Sequence, residues 1–126
     1  MTTASPTNAP WPTELRLSDA GRMLTIAFDD GTRHELSAEY LRVESPSAEV
    51  QGHAPSQRQT QSGKRHVTIK EIQPTGNYAV RLLFSDGHST GIYPFTGIHD
   101  LAVKKEAKWA AYEAELATKR LSREPR

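Results

Sequence analysis

The chain has 126 residues, 36% of them hydrophobic, with sixteen Lys and Arg against fifteen Asp and Glu and a formal charge of +1. That length suits one domain with a modest core, and the near-neutral balance gives no pull toward nucleic-acid phosphate or an anionic membrane. Cysteine is absent, which excludes disulfides, thiolate nucleophiles and thiolate-held zinc or iron-sulfur centres.

Residues 1–12 carry three prolines among small polar residues, so they read as a disordered lead-in, without the basic and apolar stretches of a secretory signal. No run approaches the roughly eighteen apolar residues of a membrane span, and a cytoplasmic location is the expectation. Order is expected from Thr13. Glu14–Leu17 alternates polar and apolar, Ser18–Gly21 offers a turn, and Met23–Phe28 alternates again. Asp29-Asp30-Gly31 then predicts a tight hairpin with a two-residue type I′ turn, returning along Thr32–Leu36.

The same order recurs. Val67–Ile72, a Pro74–Asn77 turn, Tyr78–Phe84, Ser85-Asp86-Gly87 and His88–Tyr93 repeat the first unit. Leu24, Ile26, Phe28, Asp30, Gly31 and Leu36 have counterparts 56 positions on at Val80, Leu82, Phe84, Asp86, Gly87 and Ile92. Each unit ends in a short helical candidate, Ser37–Arg42 with Ser37 as N-cap and Thr96–Leu101. Residues 43–63 lack periodicity and predict a long surface loop. From Asp100 to Leu121, Leu101, Trp109, Tyr112 and Leu116 share one stripe of an amphipathic helix. The predicted fold is α+β: two antiparallel β-meander units with short helical turns, closed by a C-terminal helix.

Catalytic motifs are missing from this pattern. Ser45-Pro46-Ser47 lacks the Gly-x-Ser-x-Gly elbow, no Gly-rich loop precedes a Gly-Lys pair, and Asp29, Asp30 and Asp86 are explained by turn chemistry. Five histidines occur, at His34, His53, His66, His88 and His99. The metal alternative joins His53 and His88 across the loop, with Glu44, Glu49 or Asp86 as oxygen ligand to iron or zinc. Gly63-Lys64-Arg65-His66 opens the second unit as a basic run, which reads first as a solvated strand end and, if the fold brings it to Arg42 and Arg58, as a site for an acidic partner or a carboxylate ligand.

The segment Leu41–His53, followed by Gly76-Asn77-Tyr78-Ala79-Val80 and Asp86-Gly87-His88-Ser89-Thr90-Gly91-Ile92-Tyr93, resembles the gamma-butyrobetaine hydroxylase-like N-terminal domain family. The resemblance implies a domain over residues 13–101, followed by a helix and tail over 102–126. In the carnitine-biosynthesis dioxygenases this domain holds structural zinc and precedes a catalytic half, and the expectation here is a domain that stands without that half. The resemblance places the zinc positions on Ser45, Ser47, Val50 and His88, and three of those four are not zinc ligands at neutral pH. No structural metal, no cofactor and no catalytic residue is therefore expected. Related stand-alone proteins, and a similar domain fused to ParA-like NTPases carrying iron-sulfur clusters, imply an accessory role in iron-sulfur or metalloenzyme maturation. The expected function is a non-catalytic protein-interaction module of unknown partner, contacting it through Arg42, Ser45, Ser47, Gln51, His53, Arg65 and His88. The alternative is a metal-binding protein using His and carboxylate.

Overall fold

The computed structural model describes residues 10–125. Two three-stranded antiparallel sheets, β1-β2-β3 and β4-β5-β6, are each followed by a helix, giving an α+β fold with neither sheet closed into a barrel. The strands are β1 (Pro12–Ser18), β2 (Met23–Phe28), β3 (Arg33–Ser37), β4 (Ile69–Thr75), β5 (Ala79–Phe84) and β6 (Ile92–Pro94). The helices are α1 (Ala38–Val43), α2 (Ala48–Gln51), α3 (Phe95–Val103) and α4 (Lys105–Lys119). Among the described residues no helix is long and apolar enough to cross a membrane.

The expected disordered lead-in lies outside the described residues over 1–9, but order starts before Thr13. Asp29 N–H donates to Trp11 O at 2.8 Å, Trp11 N–H donates to Asp29 Oδ1 at 2.9 Å, and the indole meets the Phe95 ring edge-on. These bonds tie Trp11, just ahead of β1 and its first residue Pro12, to the hairpin turn.

Both hairpin turns differ from the two-residue type I′ expectation in the same way. Gly31 N–H bonds Phe28 O at 3.1 Å while Phe28 N–H bonds Thr32 O at 2.9 Å, and Gly87, Phe84 and His88 repeat this at 3.1 and 3.0 Å. Only the glycines take positive φ, +87° and +91°. Each loop therefore has three residues, with the glycine supplying the left-handed bulge that a type I turn needs to rejoin a twisted ladder. The acidic residue ties the turn together, since Asp30 Oδ1 accepts from Thr32 N–H, and Asp86 Oδ1 from His88 N–H.

The repeat is real, but its offset changes along the chain. Phe28 and Phe84 stand 56 apart, whereas β1 and β4 start 57 apart and both carry a bulge near their first residues. On the return strand Leu24 pairs with Leu36, and Val80 pairs with Tyr93. Tyr93, not Ile92, is thus the counterpart of Leu36, because the second unit has one more residue after its turn. A one-residue slip reverses the faces of a strand, and Ile92 is accordingly 44% exposed while Tyr93 is buried.

Inward-facing Leu24, Ile26, Phe28 and Leu36 join Val80, Leu82, Phe84 and Tyr93 in one core, with Leu41 of α1 and Ile98 of α3. A smaller cluster of Val43, Tyr112 and Leu116 seats α4. The predicted single helix from Asp100 breaks at Lys104 (φ −97°, ψ 17°), so Leu101 belongs to α3 and the boundary expected at 101–102 falls inside that helix.

Helix α4 ends in a Schellman motif, with Leu121 N–H on Leu116 O at 2.8 Å and Arg120 N–H on Ala117 O at 3.2 Å. Arg120 occupies the left-handed position at φ 56°. Substitution Arg120→Gly should relieve that strain and raise stability by about 0.5–1 kcal/mol. The urea midpoint of unfolding reads the gain, and a lowered midpoint would contradict it.

Candidate functional site

Helix α1 starts at the end of β3 because Ser37 Oγ caps Tyr40 N–H at 3.0 Å. Its last turn carries Arg42 away from its own sheet to the hairpin turn of the other. Arg42 Nε donates to Asp86 Oδ2 at 2.8 Å, and Lys64 Nζ donates to the same oxygen at 2.6 Å. The second unit reciprocates at the same structural position, 57 residues later. His99 of α3 faces Asp30 Oδ2 at 3.6 Å, beside Phe28 and His34. The two turn aspartates thus each hold their own turn with one oxygen and face the other unit's helix with the second.

Only the Arg42 half builds a larger polar cluster. Ser45, just past α1, shares a hydrogen bond of 2.9 Å with His88 Nε2, and His88 Nδ1 lies 3.2 Å from Glu49 Oε1. A carboxylate only accepts, so Nδ1 carries the hydrogen, and Nε2 then accepts from the Ser45 hydroxyl. Ser47 N–H donates to Ser45 Oγ at 3.2 Å, and Ser47 Oγ bonds Thr90 Oγ1 at 2.8 Å. Gly91 leaves the space this needs, since a Cβ there would lie 2.5 Å from Ser45 Oγ.

No sequence motif marks this serine–histidine–carboxylate chain, whose members lie 43 residues apart at the Ser45–His88 bond. It has the connectivity of a nucleophile, base and orienting acid. Ser45 is fully buried, however, and offers no face to an incoming substrate. Burial, followed by the Arg42 charge, also lowers the His88 pKa against the opposing pull of Glu49 and Asp86, favouring the neutral ring.

The Asp86 carboxyl behaves oppositely. Burial pushes its pKa up, but the Lys64 ammonium, the His88 N–H and the Arg42 guanidinium outweigh burial and bring it down to about 2. A carboxyl lowered on folding stabilises the fold above its unfolded value, roughly 3.9, and that contribution disappears as pH falls through the folded value. About 2 kcal/mol should therefore be lost between about pH 4 and pH 2. Urea titrations across that window should show the loss in the native chain and a flatter profile in Asp86→Asn.

The expected partner-facing residues separate into two groups. Arg42, Ser45, Ser47 and His88 are buried, because their polar groups bond inside the fold, so none of them presents an outward surface. Gln51, His53 and Arg65 reach solvent to different degrees. Gln51 Nε2 holds Ser45 O at 2.8 Å, and Arg65 is drawn to the tail through an ion pair with Glu124. His53 is exposed, with its backbone N–H on Gln57 Oε1, while both His88 ring nitrogens are already engaged, so the two histidines do not form a common site.

Of the zinc positions implied by the resemblance, Ser45, Ser47, Val50 and His88, the fold does gather Ser45, Ser47 and His88. They do not fit zinc: the hydroxyls bond Thr90 and His88, and Val50 is a core residue. Among the described residues, no group of three His, Asp or Glu side chains is placed to hold a metal ion.

The long surface loop expected over residues 43–63 is an ordered segment. It contains α2 and a 3₁₀ turn at Pro55–Gln57, and α4 pins it along its length. Arg58 bonds Glu44 and Glu115, Lys119 Nζ donates to Thr60 Oγ1 at 2.7 Å, and the Tyr112 hydroxyl donates to Gln61 O at 2.6 Å. Between this segment, the β6–α3 corner and α4 lies a mostly apolar cleft of about 640 Å³, with Tyr93, Leu101 and Tyr112 in its lining.

Two meander units, each of whose helices sends a side chain to the other unit's turn aspartate, define a small α+β domain rather than an isolated sheet or bundle. The chain belongs to the gamma-butyrobetaine hydroxylase-like, N-terminal family, whose model matches residues 15–99. It is similar to two proteins solved in solution by NMR. One is 43% identical with a TM-score of 0.81, over 98% of this chain and 92% of that one. The other is 40% identical with a TM-score of 0.80, over 94% and 93%. A crystal structure from Acidithiobacillus ferrooxidans, described as a DUF971-family protein of unknown function, is 38% identical with a TM-score of 0.60, over 72% and 91%. No curated protein matches the chain.

Proposed function

We propose that the protein is a non-catalytic accessory module that works by binding another protein, in line with a role beside iron-sulfur or metalloenzyme maturation. The observation that carries this reading is the pinned inter-unit segment. Its reactive-looking side chains turn inward to hold the backbone, and the ordered segment then walls an open apolar cleft of about 640 Å³. Preformed concave apolar surfaces with a few polar groups are where ligands and partners dock.

Capture from native lysate on the immobilised full-length chain tests the proposal. A protein retained above background and lost on Ala111→Glu, which places a charge in the cleft lining, is the expected result. Recovery of nothing above background would count decisively against it. Metal analysis of the same purified chain weighs the rival iron or zinc reading, which requires stoichiometric metal.

A further inference from the structure

The opposite flank of α4 carries a second groove, of about 500 Å³, and the C-terminal tail already inserts a side chain into it. Arg123 lays its guanidinium 5.1 Å from the Trp109 ring centroid and donates from Nε and Nη2 to the two Glu39 oxygens, each at 2.8 Å. This joins the two contacts that suit a guanidinium best, a carboxylate fork and an aromatic face.

The groove holds more negative charge than Arg123 answers. Its lining has four carboxylates, Glu35, Glu39, Glu106 and Glu113, against the two cations Lys105 and Arg123. Among the described residues Glu39 alone of the four is ion-paired, and Lys105 Nζ donates to the Glu35 backbone carbonyl at 3.1 Å. Glu106 and Glu113 lie two turns apart on α4, about 10 Å. That separation matches basic residues three positions apart in a polyproline II peptide, whose three residues per turn and rise of about 3.1 Å per residue bring them to one face.

We propose that this groove is the docking site for a basic, arginine-bearing segment of a partner protein, and that Arg123 occupies its guanidinium subsite in cis. The assignment rests on the interaction-module reading and adds the partner's chemistry to it. The incoming segment displaces Arg123 from Glu39 and Trp109 and sets further basic side chains against Glu106 and Glu113. Arg123 thereby competes with the partner, so its removal strengthens binding.

The test uses the full chain carrying Trp11→Phe, which leaves Trp109 as the sole tryptophan reporter. The probe is a capped peptide of about seven residues with arginine at every third position and proline between them, which favours the polyproline II conformation. The expected result is a saturable change in Trp109 emission that weakens about tenfold or more between low and high salt. Arg123→Ala should bind about tenfold tighter, Glu106→Gln/Glu113→Gln about tenfold weaker, and the lysine version of the peptide several-fold weaker than the arginine one.

Three results would overturn the assignment: no saturable change in either the native tail or Arg123→Ala, indifference to the double glutamine variant, or equal binding of the two peptides. The glutamine pair lies on an exposed helix face and keeps the test valid if Arg123→Ala folds poorly. A lysate partner whose capture survives Glu106→Gln/Glu113→Gln would leave the module reading standing and remove this groove from it.

Discussion

Asp86→Ala should destabilise the fold by about 3–5 kcal/mol, the cost typical of removing one partner from a buried ion pair. Asp86 answers two cations at one oxygen, Arg42 at 2.8 Å and Lys64 at 2.6 Å, and fixes its own hairpin turn with the other. Arg42 is the residue left stranded. Its side chain is only 8% exposed, and its Nη1 already lacks a hydrogen-bond partner. Without Asp86 a buried guanidinium has no counter-charge, and that uncompensated charge exceeds any loss of the turn bond, which is about 1 kcal/mol. Domains of this size have roughly 5–15 kcal/mol in total, so the variant should sit near the edge of folding.

A second substitution separates charge from packing. Arg42→Met added to Asp86→Ala removes the stranded cation and should recover part of the loss. Urea denaturation of the two variants measures the difference. A single variant costing less than about 1 kcal/mol would show that water, not Asp86, solvates Arg42.

What the sequence exposes is local, and what it hides is long-range. Alternation in Met23–Phe28 and Ala79–Phe84, with Asp-Gly after each, reports hairpins because turn and pleat are set by a few adjacent residues. The shifted offset is hidden because Ile92 and Tyr93 are both apolar, so hydrophobicity alone permits either register. The order of residues 43–63 is not legible because it comes from α4, through Arg58, Thr60 and Gln61, rather than from any periodicity of their own.

The polar cluster is partly legible. The resemblance brings Ser45, Ser47 and His88 to one neighbourhood, and the basic run at Lys64 falls near Arg42 as expected. Their burial is not readable, since Arg and His are usually exposed and a buried arginine announces itself only through its partner. Nothing in the sequence marks Arg123 and Glu39 as a pair, because they lie 84 residues apart. Trp109 reads simply as a helix-stripe residue.

The second large effect lies where the two sheets meet. Gly21 follows Asp19 and Ala20, both left-handed, and its own φ is +87°. It is buried, and a Cβ there would overlap the carbonyl oxygen of Ile69 at the start of β4. Gly21→Ala should therefore cost more than about 3 kcal/mol: about 1–2 for an L side chain held left-handed, and the remainder for pushing one sheet's backbone off the other. Gly31→Ala supplies the reference, because Gly31 has the same φ of +87° but open space where its Cβ would go. It should show the conformational cost alone. The gap between the two urea-unfolding free energies then isolates the inter-sheet contact, which no side-chain rotation relieves because the obstructing atom belongs to the main chain. Equal losses would mean that β4 can retreat from β1–β2 at little cost, and that the two meanders are joined by their shared core and the Arg42–Asp86 and His99–Asp30 contacts rather than by this close approach.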